Sequence, residues 1–285
     1  MLRSANLFIF IIFFSLSIQY AKNLQISLSM VMNMSVPVVG PIRVRINQTV
    51  APGLYKIEEK MNVDRFVFRW MEDDPVGQIM ISGTDKIINY NIKDEVYWLE
   101  TPEEFFIELE PDSTDEDNSG SFSFIFKSDE DESPPKIERM SVQNIEIVNG
   151  YRAKKWITSV LFDKKKIIIE EWFVKDLPLL DLQDSIKRSI FEDFSQDINF
   201  SENSNIDNFL ADHWDIMNLS NKIIFTMDTN TDLDQIQGRS VKTNVSFFEE
   251  KKNPKIKMSM EILELYAESV DTAFFTIPDD FAKNK

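Results

Sequence analysis

Apolar and polar residues alternate almost without fault from Leu24 to Val36. Leu24, Ile26, Leu28, Met30, Met32, Met34 and Val36 share one face. Gln25, Ser27, Ser29, Asn33 and Ser35 share the other, with Val31 the exception. A period of two puts successive side chains on opposite faces, so this run predicts a strand with one dry and one wet face. Residues 37–41 turn the chain between two prolines. Ile42, Val44, Ile46 and Val50 then alternate with Arg43, Arg45, Asn47 and Thr49, which predicts an antiparallel hairpin with the same polarity of faces. Pro52-Gly53 makes the next turn. Further short strands are predicted over 54–61, 64–70, 78–82, 86–92, 95–99 and 105–109. Residues 83–85 and 93–94 are turns within that meander.

The organising stretch is 145–178. Asn149-Gly150 is a turn signal, because both residues tolerate positive φ. Residues 151–162 and 166–175 read as two strands rich in isoleucine and aromatic residues, as half-buried sheet surface prefers. Leu177-Pro178 ends the ladder, since proline has no N–H to donate. The period then becomes helical. Leu179, Leu182, Ile186, Ile190 and Phe194 form one apolar stripe. A second helix is predicted over 205–219, capped by Ser204, with Ile206, Phe209, Leu210, His213 and Met217 on its apolar face. Residues 223–227 read as a short strand, and 241–248 and 255–265 as longer ones. Residues 274–278 close the chain.

Residues 111–135 differ from the rest. Acidic, serine-rich runs flank one short apolar segment at 121–126. Such runs bury too little to offset chain entropy, so an exposed insertion carrying one edge strand is expected. The fold class is therefore α+β: a large antiparallel sheet of about 10–12 strands, which must curl or be covered, with two helices on one face.

Composition adds a compartment. Residues 1–21 read as a signal peptide: Arg3 gives a positive start, 7–14 an apolar core too short to span a bilayer, and Ser15, Ser17 and Ala21 small residues near a cut placed after Ala21. An uncleaved anchor is the other reading of that stretch. Residues 22–285 then form a single domain carrying the insertion at 111–135. The chain has no cysteine, which rules out disulfides, thiol catalysis, cysteine metal sites and a lipidated N-terminal cysteine. An exported chain of this composition suits the bacterial periplasm, where the sequons at Asn33, Asn47, Asn199, Asn218 and Asn244 are chance matches. The formal charge is −17, or −18 once Arg3 is removed. Such a chain repels nucleic acid and anionic headgroups, so any lipid contact must be apolar. Nothing after the signal is apolar for long enough to cross a bilayer.

Little here is catalytic. His213 is the single histidine, so a triad or multi-histidine zinc site cannot form, and its place on an apolar stripe points to packing. Residues 228–232 open like a calcium loop, but Leu233 replaces the needed glycine and Arg239 the bidentate glutamate. Glu170 and Glu171 face opposite ways on a strand and cannot work as an acid/base pair. No phosphate-cradling or nucleophile-elbow pattern occurs. No metal, cofactor or catalytic residue is expected. The feature that remains is methionine. Met30, Met32 and Met34 line one strand, and Met258 and Met260 share a face of another. Methionine adapts to irregular apolar shapes, which suits a loose lipid pocket; the same pattern also fits an ordinary core under two helices.

Three segments carry a family resemblance. The first is 64–101, with QIMISGTDKIINYNIKDEVYWLETP. The second is 149–178. The third joins IQGRSVKT at 236–243 to VDTAFFTIP at 270–278. Their order resembles the half-barrel of the bacterial lipoprotein carriers LolA and LolB, and more closely a periplasmic domain-of-unknown-function group in that superfamily. The acidic insertion departs from that pattern, and the absence of a lipobox cysteine rules out anchoring like that of LolB. The resemblance implies a curved half-barrel whose apolar concave face and covering helices bind ligand. For this chain that implicates Leu28, Met30, Met32, Met34, Met258, Met260, Phe209 and Met217. The expected function is a carrier or binding protein for a lipid, acyl chain or lipoprotein. The alternative is an envelope protein-interaction or sensor module with no small ligand.

Overall fold

Alternation makes β1 (Leu24–Val36) a strand that is bonded on both sides. Its hairpin partner β2 (Gly40–Ala51) sets Met30 opposite Ile46, Met32 opposite Val44 and Met34 opposite Ile42. Its other neighbour, β11 (Ile256–Ser269), comes from the far end of the chain and sets Met32 opposite Met260 and Met34 opposite Met258. The computed structural model describes residues 24–37, 39–64, 75–109, 135–162, 165–196, 216–226, 233–249 and 253–284.

The wet face of β1 fixes this register with polar pairs. The hydroxyls of Ser27 and Thr49 lie 3.1 Å apart, Ser29 Oγ donates to Asn47 Oδ1 at 2.8 Å, and Gln25 Nε2 donates to Glu268 Oε1 at 2.8 Å. A slip of one residue would break this ladder and turn the apolar set towards water.

From β2 the chain meanders outward through β3 (Leu54–Val63), β4 (Val76–Ile81), β5 (Ile87–Asn91) and β6 (Val96–Glu100). On the other side, β11 is followed by β10 (Arg239–Glu249), β9 (Lys165–Val174), β8 (Tyr151–Leu161) and β7 (Lys136–Val148). The last strand, β12 (Ala282–Lys283), lies parallel to β6. Among the described residues the result is one open, curved 12-stranded sheet in the order β12-β6-β5-β4-β3-β2-β1-β11-β10-β9-β8-β7. Asn149 and Gly150 turn β7 into β8 with φ of 45° and 88°, as the short hairpin demands. Gly77 on β4 lets the Tyr90 ring lie across the backbone: a Cβ there would stand 2.1 Å from Tyr90 Cζ.

Among the described residues three α-helices attach to this sheet: α1 (Pro102–Leu109), α2 (Pro178–Ser195) and α3 (Leu219–Thr226). Two of them correct the sequence reading. Residues 105–109 are helical rather than extended, because Thr101 and Glu104 form a reciprocal cap with Pro102 between them. Glu104 N–H donates to Thr101 Oγ1 at 3.2 Å, and Thr101 N–H donates to Glu104 Oε2 at 2.8 Å. Residues 223–226 are also helical rather than extended, because α3 is nucleated by a tertiary contact described below.

The apolar stripe of α2 is likewise corrected. Leu180, Gln183, Lys187, Ile190, Phe191 and Phe194 are buried, while Leu179, Leu182 and Ile186 are half-buried flanks. Phe191 packs edge-on against Tyr55 of β3 with ring centroids 5.7 Å apart, and against Phe106 of α1 at 6.3 Å. The predicted helix over 205–219 lies outside the described residues up to 215, as do His213, the calcium-like loop at 228–232, the insertion with its edge segment at 121–126, and the strand at 65–70.

Candidate functional site

The sheet register brings the candidate residues together. Met30, Met32 and Met34 of β1 stand beside Ile262, Met260 and Met258 of β11. Next along, Thr243 of β10 faces Met260 and Val245 faces Met258. Thr243 carries Met217, from the segment leading into α3: its hydroxyl donates to Met217 Sδ at 3.7 Å. Leu28, Met30, Met32, Met217, Met258 and Met260 are all buried in one cluster, and Met34 packs half-buried against it. Phe209 lies outside the described residues. Met32 and Met260 have no exposed surface at all, at 0% each, so the face is closed around them.

One residue of this region enters the sequence analysis only as half of an excluded acid/base pair. Glu171 is 0% exposed and shares the dry face of β9 with Ile167 and Ile169. The sequence reading correctly sets Glu170 on the opposite face, where it meets Lys155 at 2.6 Å. The signal for Glu171 was the interruption of an Ile-x-Ile-x-Glu-x-Phe alternation by a carboxylate. Ser220 N–H donates to Glu171 Oε2 at 3.2 Å, and Thr243 Oγ1 lies 3.5 Å from Oε1. The N-terminus of α3 therefore sits on a carboxylate supplied by the sheet, which satisfies amides that the helix cannot satisfy itself.

Arg139 of β7 completes the anchor. Its Nη2 donates to Ser220 O at 3.2 Å, its Nη1 to Asp234 O at 2.7 Å and its Nε to Thr158 Oγ1 at 3.3 Å. Burial pushes the Glu171 carboxyl above its ordinary range, while the N–H groups of Ser220 and Leu219 and the Arg139 charge pull it back. Burial also lowers the pKa of Arg139, partly offset by Glu171. Asn221 closes the loop after α3 by holding Ile236 at both ends: Ile236 N–H donates to Oδ1 at 2.9 Å, and Nδ2 donates to Ile236 O at 3.0 Å. Arg239 ties β10 to the first turn of α2, with Nη1 3.0 Å from Asp181 Oδ1. Among the described residues, no group of His, Cys, Asp and Glu could hold a metal ion, and no helix is long and apolar enough to cross a membrane.

This curved sheet can be set beside known proteins. A candidate outer membrane lipoprotein-sorting protein domain from Vibrio parahaemolyticus aligns over 88% of this chain and 88% of its own, at 9% identity and a TM-score of 0.27. A LolA superfamily protein from Nitrosomonas europaea aligns over 88% of this chain and 90% of its own, at 6% identity and a TM-score of 0.23. Both superpositions are loose, and no ligand or partner is carried over from them. No family model and no curated protein matches the chain.

Proposed function

We propose that this chain is an exported periplasmic binding or carrier protein that holds a lipid, an acyl chain or a lipoprotein against the methionine face. The supporting observation is the convergence of Met30, Met32 and Met34, Met258 and Met260, and Met217 from three separate parts of the chain on one dry face. Unbranched, polarisable side chains can fill such a face when no ligand is present and repack around one when it arrives. In this reading residues 1–21 are a signal peptide and 22–285 one half-barrel domain, with 111–135 a surface insertion. α2 covers part of the face, and no reaction is assigned. The net charge of −17 favours apolar over electrostatic recognition and disfavours nucleic acid. The test is mass spectrometry of organic extracts from protein purified out of the envelope. A stoichiometric acyl lipid is expected. A lipid-free protein that also fails to bind a fluorescent fatty acid would count against the reading.

A second reading, an envelope protein-interaction or sensor module, draws on a different observation. The methionine face is closed at Met32, whereas apolar side chains stand exposed on both outer parts of the sheet. Met140, Ile145 and Ile147 are 57–68% exposed on β7, and Trp98 and Leu99 about 40% on β6. An open cleft of about 1000 Å³ lined by Lys86, Trp98, Leu99, Lys283 and Asn284 adjoins β6. Met32→Trp separates the readings. A closed core with no ligand role is overpacked at a cost of about 1–3 kcal/mol with no binding to lose. A ligand face loses fatty-acid binding.

A further inference from the structure

The seam between α2 and the sheet holds a polar site whose reading deepens the carrier function above and rests on it. Gln183 and Lys187 are one helical turn apart, which places their Cβ atoms about 5–6 Å from each other. Both point at the sheet where an amphipathic helix would ordinarily place apolar residues. Gln183 is 1% exposed, Lys187 6%, and Gln48 beneath them on β2 is 3%. Gln183 Nε2 donates to Gln48 Oε1 at a long 3.3 Å, and Gln183 Oε1 has no hydrogen-bond partner among the described residues. Buried polar atoms almost always find a partner, and an orphaned acceptor is costly to keep. Lys187 Nζ lies 5.8 Å from the Tyr55 ring centroid and 5.7 Å from that of Phe191, so a cation is held inside the same seam.

The surroundings are apolar on both sides. Gln48 stands between Leu28 of β1 and Ile57 of β3 in register. Leu28 belongs to the methionine cluster, while Tyr55 and Phe191 belong to the aromatic cluster under α1 and α2. The seam is therefore the one described point on α2 where an acceptor and a cation adjoin the end of the methionine face. An acyl chain lying along that face would bring its polar end to Gln183.

We propose that Gln183 and Lys187 form the head-group site for a hydroxylated acyl ligand. The ligand's hydroxyl donates to Gln183 Oε1, its carboxylate or carbonyl oxygen accepts from Lys187 Nζ, and its chain runs over Leu28 and Met30. An unsubstituted fatty acid at neutral pH offers an acceptor but no donor, so it leaves Gln183 Oε1 orphaned. A site built to bond a hydroxyl discriminates against the analogue that lacks it.

The experiment compares 3-hydroxymyristate with myristate as competitors of a fluorescent fatty acid on the purified full-length protein. The hydroxylated probe is expected to bind roughly tenfold tighter. Gln183→Leu brings the affinity ratio of the two probes close to one, and so does Gln183→Met, which keeps the side-chain shape should leucine not fold. Ser185→Ala, on the exposed side of the same helix, leaves the ratio as in the wild type. Equal affinity for both probes in the wild type overturns the head-group site while leaving the carrier reading standing. A ratio that survives both Gln183 variants overturns it too. If neither probe displaces the dye from folded protein, the carrier reading falls and the head-group site falls with it.

Discussion

α1 and α3 are each eight residues long, and each occupies a stretch whose composition predicts a strand. They are started in different ways. α1 is started by its own sequence: Thr101 and Glu104 bond each other's amides across three residues. α3 is started by Glu171, a carboxylate 49 residues earlier in the chain that waits on the dry face of β9. The first cap is exposed, local and written in neighbouring letters. The second is buried, long-range and exists only once the sheet has formed. A short helix is marginal alone, so in both cases the cap and the surface beneath decide its existence. The lesson is that a helix resting on the methionine face is held by the face itself.

The comparison predicts unequal costs. Glu171→Ala leaves the buried Ser220 amide without its acceptor and removes the charge that acts on the half-buried Arg139. Chemical denaturation should show a loss of about 3 kcal/mol. A loss below 0.5 kcal/mol, on the order of a surface substitution, would mean that the anchor is incidental.

The pH dependence of the two caps should have opposite sign. The folded-state pKa of Glu171 is raised, chiefly by burial, so the native state binds more protons than the unfolded chain. Stability tied to Glu171 therefore falls as pH rises from the ordinary carboxylate value of 4.5 towards the raised one. Glu104 is held below its ordinary 4.5 by the Thr101 amide and then by its hydroxyl, so its contribution is present above that value and is lost as pH falls. Denaturation across acid to neutral pH checks this: Glu171→Gln should gain on the wild type as pH rises, and Glu104→Gln should converge with it in acid. Parallel curves for the two variants would remove the contrast between them.

The smallest effect belongs to the local cap. Thr101→Ala should cost about 1 kcal/mol, with the far side of the sheet unaffected. Amide hydrogen exchange should show the loss confined to α1.

These two helices also mark what could be read from the sequence. The β1 alternation, the Asn149-Gly150 turn and the break at Pro178 were legible because each is a local pattern with a local cause. The α1 cap was equally local, as Thr-Pro-Glu-Glu, and was masked by the apolar run at 105–109, which fits a strand as readily. The partner of β1 across the sheet, β11, was not legible, since nothing in either strand names the other. Glu171 and the inward turn of Gln183 and Lys187 were hidden for the same reason. A polar residue on an apolar face acquires a meaning only from what the fold sets opposite it, here the α3 amides and Gln48. The methionine face lies between these cases. Its residues were legible, while the register that unites β1, β10 and β11 was not.

The central claim is that an acyl ligand meets those methionines. Methyl-labelled methionine NMR tests it directly, because Met140, which stands exposed on β7 outside the methionine cluster, serves as an internal reference. Titration with palmitate should move the methyl signals of Met30, Met32, Met258, Met260 and Met217 together and leave that of Met140 in place. Binding that leaves these five signals unmoved, or that moves only Met140, would contradict the account.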